Sequence, residues 1–268
     1  RLSAVRQLPG VRSVRRENHF RPTLETSVPW VGAPAAWSFS TGPWTGEGIR
    51  IAIIDSGIDY NHASLGGNGD PDAFNANDPT VVESGSFPTA RVVGGTDFVG
   101  DNYDSRGQTG STSARPDPDP LDTFANTHGS HVAGIAAGNG VLTNGAPYKG
   151  PYTAALDFSQ FSVGPGVAPQ AKLYAYKVFG SGGSTASSIV VRALERSLDP
   201  NQDGNFSDHV DVANLSLGSP FGIGRAPPSP ISPFHRVQGC RISYHFDRRP
   251  VKGVSALPAV SAQPRGAE

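Results

Sequence analysis

The chain has 268 residues, enough for one large domain or two small ones, each with a core of its own. Hydrophobic residues make up 37% and charged residues 17%, and the formal net charge of -1 argues against nucleic-acid or membrane-surface partners. No apolar run approaches the ~20 residues that a membrane-spanning helix needs.

Residues 1–22 are basic and polar, with Arg6, Arg12, Arg15, Arg16 and Arg21, and Leu8 to Val14 reads as a turn followed by a short strand. The first residue is Arg1 and the sequence holds no methionine, so a signal peptide, if the gene encodes one, precedes these residues. From Glu25 the texture changes to the apolar, small-residue run Val28 to Trp37. Gly42-Pro43 and the Gly46/Gly48 pair then mark turns. Ile49 to Ile54 is β-branched, bounded by glycines and short, which predicts a buried strand of a parallel sheet.

The stretch from Leu65 to Asp122 is rich in Asp, Gly, Pro and Ser, and within it only Arg91 to Val99 reads as strand. A loop this long usually carries function or binds ions. His131 to Ala137 reads as helix and Ala171 to Val178 as strand. Ser184 to Leu198 reads as helix, with Ile189, Val190, Ala193, Leu194 and Leu198 at helical spacing. Val210 to Leu217 is the last clear strand. Alternating strands and helices of these lengths predict a doubly wound, mostly parallel α/β sheet.

At about Phe221 the pattern breaks. Arg225, Arg236, Arg241, Arg248, Arg249, Lys252 and Arg265 face only Asp247 and Glu268, and prolines cluster at positions 227, 228, 230 and 233. The sole cysteine, Cys240, lies here, so no intramolecular disulfide forms and the redox compartment stays open. No strand or helix period is evident, and the composition suits a disordered basic extension.

Two segments carry chemistry. Asp55 ends the predicted strand in IAIIDSGID, at the carboxyl edge where open α/β sheets gather functional groups. A carboxylate there serves equally to orient an imidazole, to cap the next helix, or to act as the aspartate of a phosphotransferase. His128 lies in THGSHVAG, where Gly129 allows close backbone approach before a small-residue helix. A metal pair of His128 with His131 lacks a nearby third ligand, and His131 is expected to be a packed helix residue. A third segment, DPNQDGNFSD, alternates oxygen ligands at Asp199, Asn201 and Asp203, with Gly204 as the turn glycine and Asp208 following. It reads as the opening half of a calcium loop, or as a solvated turn between helix and strand. Val210 stands where an EF-hand would place its bidentate Glu.

Together the Asp55 and His128 segments resemble the first two signature segments of the subtilisin-like serine proteases. GVAPQAKLYAYKV (166–178) and DVANLSLG (211–218) resemble the strands that follow them. The resemblance covers roughly Glu25 to Ser219 and implies a secreted serine endopeptidase of the subtilisin fold, with Asp55 and His128 as two of three catalytic residues. It also implies that Ser216, Leu217 and Gly218 line the substrate groove, with the loop of Gly180, Gly182 and Gly183 as its other rim, and that an extended peptide is the substrate. LPGVRSVRRENHF (8–20) resembles the end of an inhibitory propeptide, the chain's own partner, which implies residues 1–22 as propeptide and a maturation cleavage between about Phe20 and Ser27. No cofactor is implied for catalysis.

The third catalytic segment, Gly-Thr-Ser-Met-Ala after an oxyanion Asn, is missing from the sequence. GVSALP, with Ser255, is a poor imitation, because Ala256-Leu257 replaces Met-Ala and no oxyanion segment precedes it. Residues 23–220 are therefore expected to be the N-terminal part of a catalytic domain, incomplete at the C-terminus. Residues 221–268 are expected to be out of frame or disordered, and the chain inactive alone. A non-catalytic peptide-binding module that keeps the groove is the alternative.

Overall fold

A computed structural model describes residues 19–22, 28, 31–123, 126–218 and 242–245, and for 19–22 and 242–245 it gives the backbone only. In chain order the strands are β1 (His19–Pro22), β2 (Arg50–Asp55), β3 (Val92–Asp97), β4 (Val141–Leu142), β5 (Phe161–Val163), β6 (Lys172–Lys177), β7 (Thr185–Ala186), β8 (Val212–Leu215), β9 (Leu217–Gly218) and β10 (Ile242–His245). The α-helices are α1 (Ala33–Trp37), α2 (Pro71–Ala76), α3 (His128–Ala137) and α4 (Ser187–Leu198).

The central sheet has the order β10-β8-β2-β6-β3, with β8, β2, β6 and β3 parallel and β10 antiparallel at the edge. β2 lies in the interior and is buried on both faces, which is why its sequence is apolar without alternation. Ile51 and Ile53 pack with Val132, Ala133 and Ala137 of α3. Ala52 and Ile54 point the other way, to Ile189, Val190 and Ala193 of α4. One helix thus covers each face, and removing a fully buried isoleucine side chain from water contributes ~1.5–3 kcal/mol. A third cluster, Val28, Ala33, Trp37 and Tyr152, seats α1.

The connections β3–α3–β6 and β6–α4–β8 step in the same direction along the sheet, yet their helices lie on opposite faces. Two such crossovers must have opposite hand, so one of them departs from the usual right-handed rule. The β3–α3 link is the long acidic loop, which leaves ample chain to reach the far face.

The doubly wound, mostly parallel architecture agrees with the sequence reading, and several bounds differ. Helix α3 begins at His128 rather than His131, and His131 is exposed rather than packed. Helix α4 begins at Ser187 rather than Ser184, and Thr185–Ala186 before it form strand β7. The stretch read as one strand from Val210 to Leu217 divides at Ser216, with β8 in the central sheet and β9 in a different one. In the tail, β10 pairs with β8 from Ile242↔Leu215 to His245↔Val212, against the expectation of no strand there. The rest of the tail, Ser255 included, lies outside the described residues, as do Leu8 to Val14.

β9 belongs to a three-stranded sheet of order β7-β1-β9. β1 is antiparallel to both neighbours, with His19↔Ala186 and Phe20↔Thr185 on one side and Arg21↔Gly218 and Pro22↔Leu217 on the other.

Candidate active site

Asp55 is the last residue of β2 and is fully buried. Its carbonyl accepts from Val178 N at 2.7 Å, which ties the strand end to the chain leaving β6. Its carboxylate accepts from Ser56 N at 2.8 Å and from His128 Nδ1, at 2.9 Å to Oδ1 and 3.1 Å to Oδ2. Burial pushes the Asp55 carboxyl above its ordinary range, while the hydrogen bond and charge of His128 pull it back. With Nδ1 donating to Asp55, Nε2 is the imidazole nitrogen left to accept a proton. It is buried and has no hydrogen-bond partner among the described residues.

The close approach of α3 to the turn after β2 demands glycine. A Cβ on Gly129 would lie 2.1 Å from Gly57 O, and one on Gly57, at φ 113°, would lie 2.6 Å from Pro120 O. The Gly129 N–H donates to Ser56 Oγ at 2.8 Å. Asp122, which the sequence reading passed over, is buried beneath the start of α3 and accepts from Ser130 N at 2.9 Å and Ser130 Oγ at 2.7 Å. Burial pushes its carboxyl up to about 7, against the pull of Ser130 and Ser56. An Asp six residues before a His, inside an aperiodic loop, carries no pattern that singles it out.

Beside Asp55 in the sheet, Lys177 is fully buried and bridges Asp97 at 3.2 Å and Asp101, with Leu121 O accepting at 2.9 Å. Burial works to lower the Lys177 pKa, but the two carboxylates outweigh it and hold it above the ordinary lysine value.

Of the residues expected to line a groove, Leu217 and Gly218 pair directly with β1, and Ser216 Oγ accepts from Asn214 Nδ2 at 3.0 Å. On the other side the rim strand is β7, Thr185–Ala186. Gly180 and Gly182 sit upstream of it, pressed onto the 100–104 segment: a Cβ on Gly180 would lie 2.6 Å from Tyr103 N and one on Gly182 2.3 Å from Asp104 Cβ. Gly183, at φ 62°, turns the chain between them and β7.

In the loop after α4, Asp199 accepts from Asp203 N at 3.2 Å and Gly204 N at 3.0 Å. Asn201 Oδ1 accepts from Asp203 N at 2.9 Å, and Asp203 Oδ1 accepts from Asn205 N at 2.7 Å. Asp208 lies farther on in a 3-10 turn, its Oδ1 buried and without a hydrogen-bond partner among the described residues. Among the described residues no three or more His, Cys, Asp or Glu side chains are grouped as a metal site would require. Nor is any described helix long and apolar enough to cross a membrane.

Comparison with known proteins fits this geometry. The family model described as Subtilase family matches residues 46–257, a span that runs beyond the break seen in the sequence at Phe221. The chain is 34% identical over 203 residues to the minor extracellular protease Vpr of Bacillus subtilis (strain 168), covering 76% of this chain and 18% of that protein. It is 30% identical over 227 residues to subtilisin E of the same organism, covering 82% of this chain and 40% of that protein. With the PI-type proteinase of Lactococcus lactis subsp. cremoris it shares 29% identity over 224 residues, 82% of this chain and 10% of that protein. The chain therefore spans less than half the length of each of these relatives. A pair of signature residues in hydrogen-bond contact at the carboxyl edge of a parallel sheet, together with a family match over most of the sequence, places this chain in the subtilase family.

Proposed function

We propose that the chain is the N-terminal part of a secreted, subtilisin-type serine endopeptidase, with Asp55 and His128 as its orienting acid and general base. The observation that carries this reading is the Asp55–His128 pair, with Nδ1 engaged and Nε2 unpartnered among the described residues. Asp55 holds the imidazole in the tautomer that leaves Nε2 free to accept a proton, and stabilises the imidazolium once it forms. Nε2 would take the proton of a serine hydroxyl as that oxygen attacks a peptide carbonyl, and return it to the leaving amine. The Gly-Thr-Ser-Met-Ala segment that supplies such a serine is not in this sequence, so the chain as it stands hydrolyses no peptide.

The groove between β7 and β9 binds an extended peptide by completing the sheet, and residues 19–22 are the chain's own occupant of it. β1 runs antiparallel to β9, so the chain leaving Pro22 heads toward the Ser216 end of β9. The maturation cleavage is proposed between about Phe20 and Ser27. The occupied groove equally suits a non-catalytic peptide-binding module, which an unbroken reading frame through the tail would favour. Calcium in the 199–208 loop is proposed on the oxygen donors its sequence offers, Asp199, Asn201, Asp203 and Asp208, although among the described residues these side chains are not grouped as a metal site.

The test is to read the gene downstream of codon 219 in all three frames and express the longest subtilase product. A Gly-Thr-Ser-Met-Ala segment is expected, and its product should cleave casein and react with a fluorophosphonate, with both activities lost in His128→Ala. No such segment in any frame, or fluorophosphonate labelling of Ser255 in the 268-residue chain, overturns the reading.

A further inference from the structure

We propose that Asp122 is a positioning residue for His128, acting through Ser130. The role as base rests on the reading above; the positioning itself rests on geometry alone.

His128 is the first residue of α3, so its placement depends on how the helix start is fixed. The usual device, a side-chain cap from the preceding residue, is absent: Thr127 makes no such bond. The free N–H groups of the first turn are satisfied from elsewhere. His128 N reaches Asn126 Oδ1 at the long distance of 3.4 Å, Gly129 N donates to Ser56 Oγ, and Ser130 N donates to Asp122 Oδ2. Asp122 thus does the work of a cap from outside the local sequence, and its carboxylate lies at the helix end where the dipole favours negative charge.

Ser130 extends that hold to the segment carrying Asp55. Its hydroxyl proton goes to Asp122 Oδ2 at 2.7 Å, which turns its lone pairs outward, and one accepts from Asp59 N at 2.8 Å. Three successive residues of α3 therefore close onto the segment from Asp55 to Asp59: His128 on Asp55, Gly129 on Ser56, Ser130 on Asp59. The loop that bears Asp122 is fastened to the same segment, with Ile58 N donating to Pro120 O at 3.0 Å. Without the Asp122 carboxylate, the N–H and the hydroxyl of half-buried Ser130 lose their acceptor together, and the third closure loses the group that orients it.

The conservative change tests the mechanism. Asp122→Asn keeps an oxygen that can accept from both Ser130 donors, whereas Asp122→Ala keeps none. In the 268-residue chain, proton NMR follows the His128 Nδ1–H, whose bond to Asp55 slows its exchange with water, and circular dichroism follows unfolding. The resonance should persist in Asp122→Asn and broaden into solvent exchange in Asp122→Ala, even below the melting transition. Where Asp122→Ala fails to fold, Ser130→Ala carries the test: it deletes only the hydroxyl relay and should also accelerate the exchange. In the serine-containing product, both variants should lower kcat, by up to about 10²-fold for a 1 Å misplacement, with KM unchanged. Folded Asp122→Ala or Ser130→Ala chains with an unaltered Nδ1–H resonance overturn the proposal. An altered resonance in a product that never hydrolyses peptides leaves the positioning role standing and removes the protease reading.

Discussion

Gly129→Ala and Gly134→Ala place the same methyl group on the same helix five residues apart, and they should move stability in opposite directions. At Gly129 the new Cβ meets Gly57 O at 2.1 Å, more than an ångström short of the 3.4 Å at which ordinary contact begins. The neighbouring atoms, Gly57 N and Ser56 N at 3.1 Å, are also backbone, so no side chain can swing aside. Forcing the helix from the turn costs ~1–3 kcal/mol in strain, and loss of the Gly129 N–Ser56 Oγ bond adds about 1 kcal/mol. The better helix propensity of alanine returns about 1 kcal/mol, leaving a net destabilisation of roughly 1–3 kcal/mol. At Gly134 nothing outside the helix, among the described residues, lies within 4 Å of the added Cβ. Only the propensity gain remains there, up to about 1 kcal/mol. Thermal unfolding of the two variants in parallel should separate their midpoints by roughly 5–15 °C, at about 2–4 °C per kcal/mol for a domain this large. A Gly129→Ala chain that melts at or above the parent, or two variants that shift together, would refute the packing argument for the close approach of α3.

Lys177→Met strands Asp97 as an unpaired buried charge and should cost ~3–5 kcal/mol in urea unfolding, much of it recovered by adding Asp97→Asn; a single variant as stable as the parent refutes this. Burial holds Asp122 and Asp117 up to about 7 and Asp119 up to about 6, against an ordinary 3.8. Between those values the folded chain binds protons that the unfolded chain releases, so this stability is present near pH 4 and declines as pH rises to about 7. Urea midpoints across that window should fall, less steeply in Asp122→Asn, and a rising midpoint contradicts the assignment. Calcium should raise the melting temperature of the parent chain and not of Asp199→Ala combined with Asp203→Ala, and equal melting with and without calcium removes the proposed site.

The parts of the fold that were legible are those whose signal is local. Ile51 to Ile54 reads as a central strand because both its faces are buried, and the α4 stripe of Ile189, Val190 and Ala193 reads as a helix because one face is. The start of α3 was misplaced because its cap is Asp122, brought in by tertiary structure rather than by the residue before the helix. Helix α2 carried its own signal, Asp70 capping Asp72 N with Pro71 in the first turn, and the surrounding acidic stretch masked it. The bend at Ser216 was hidden because β8 and β9 share one apolar run while belonging to different sheets. Asp55 and His128 were found by their motifs. Their contact across 73 positions of sequence, and the serine relays that set it, required the folded chain.

Strand β1 belongs to the same chain as the two strands it separates, and this gives it an advantage that no free peptide shares. A tethered segment acts at an effective concentration of the order of millimolar, whatever the dilution of the protein. A free peptide making equal contacts must reach that level before it displaces residues 19–22. A single cut between Pro22 and Val28 leaves every hydrogen bond of the β7-β1-β9 ladder in place and abolishes only the tether. From then on occupancy follows the bulk concentration of the released piece, so the uncut chain stays closed at any dilution while the cut one opens when it is diluted.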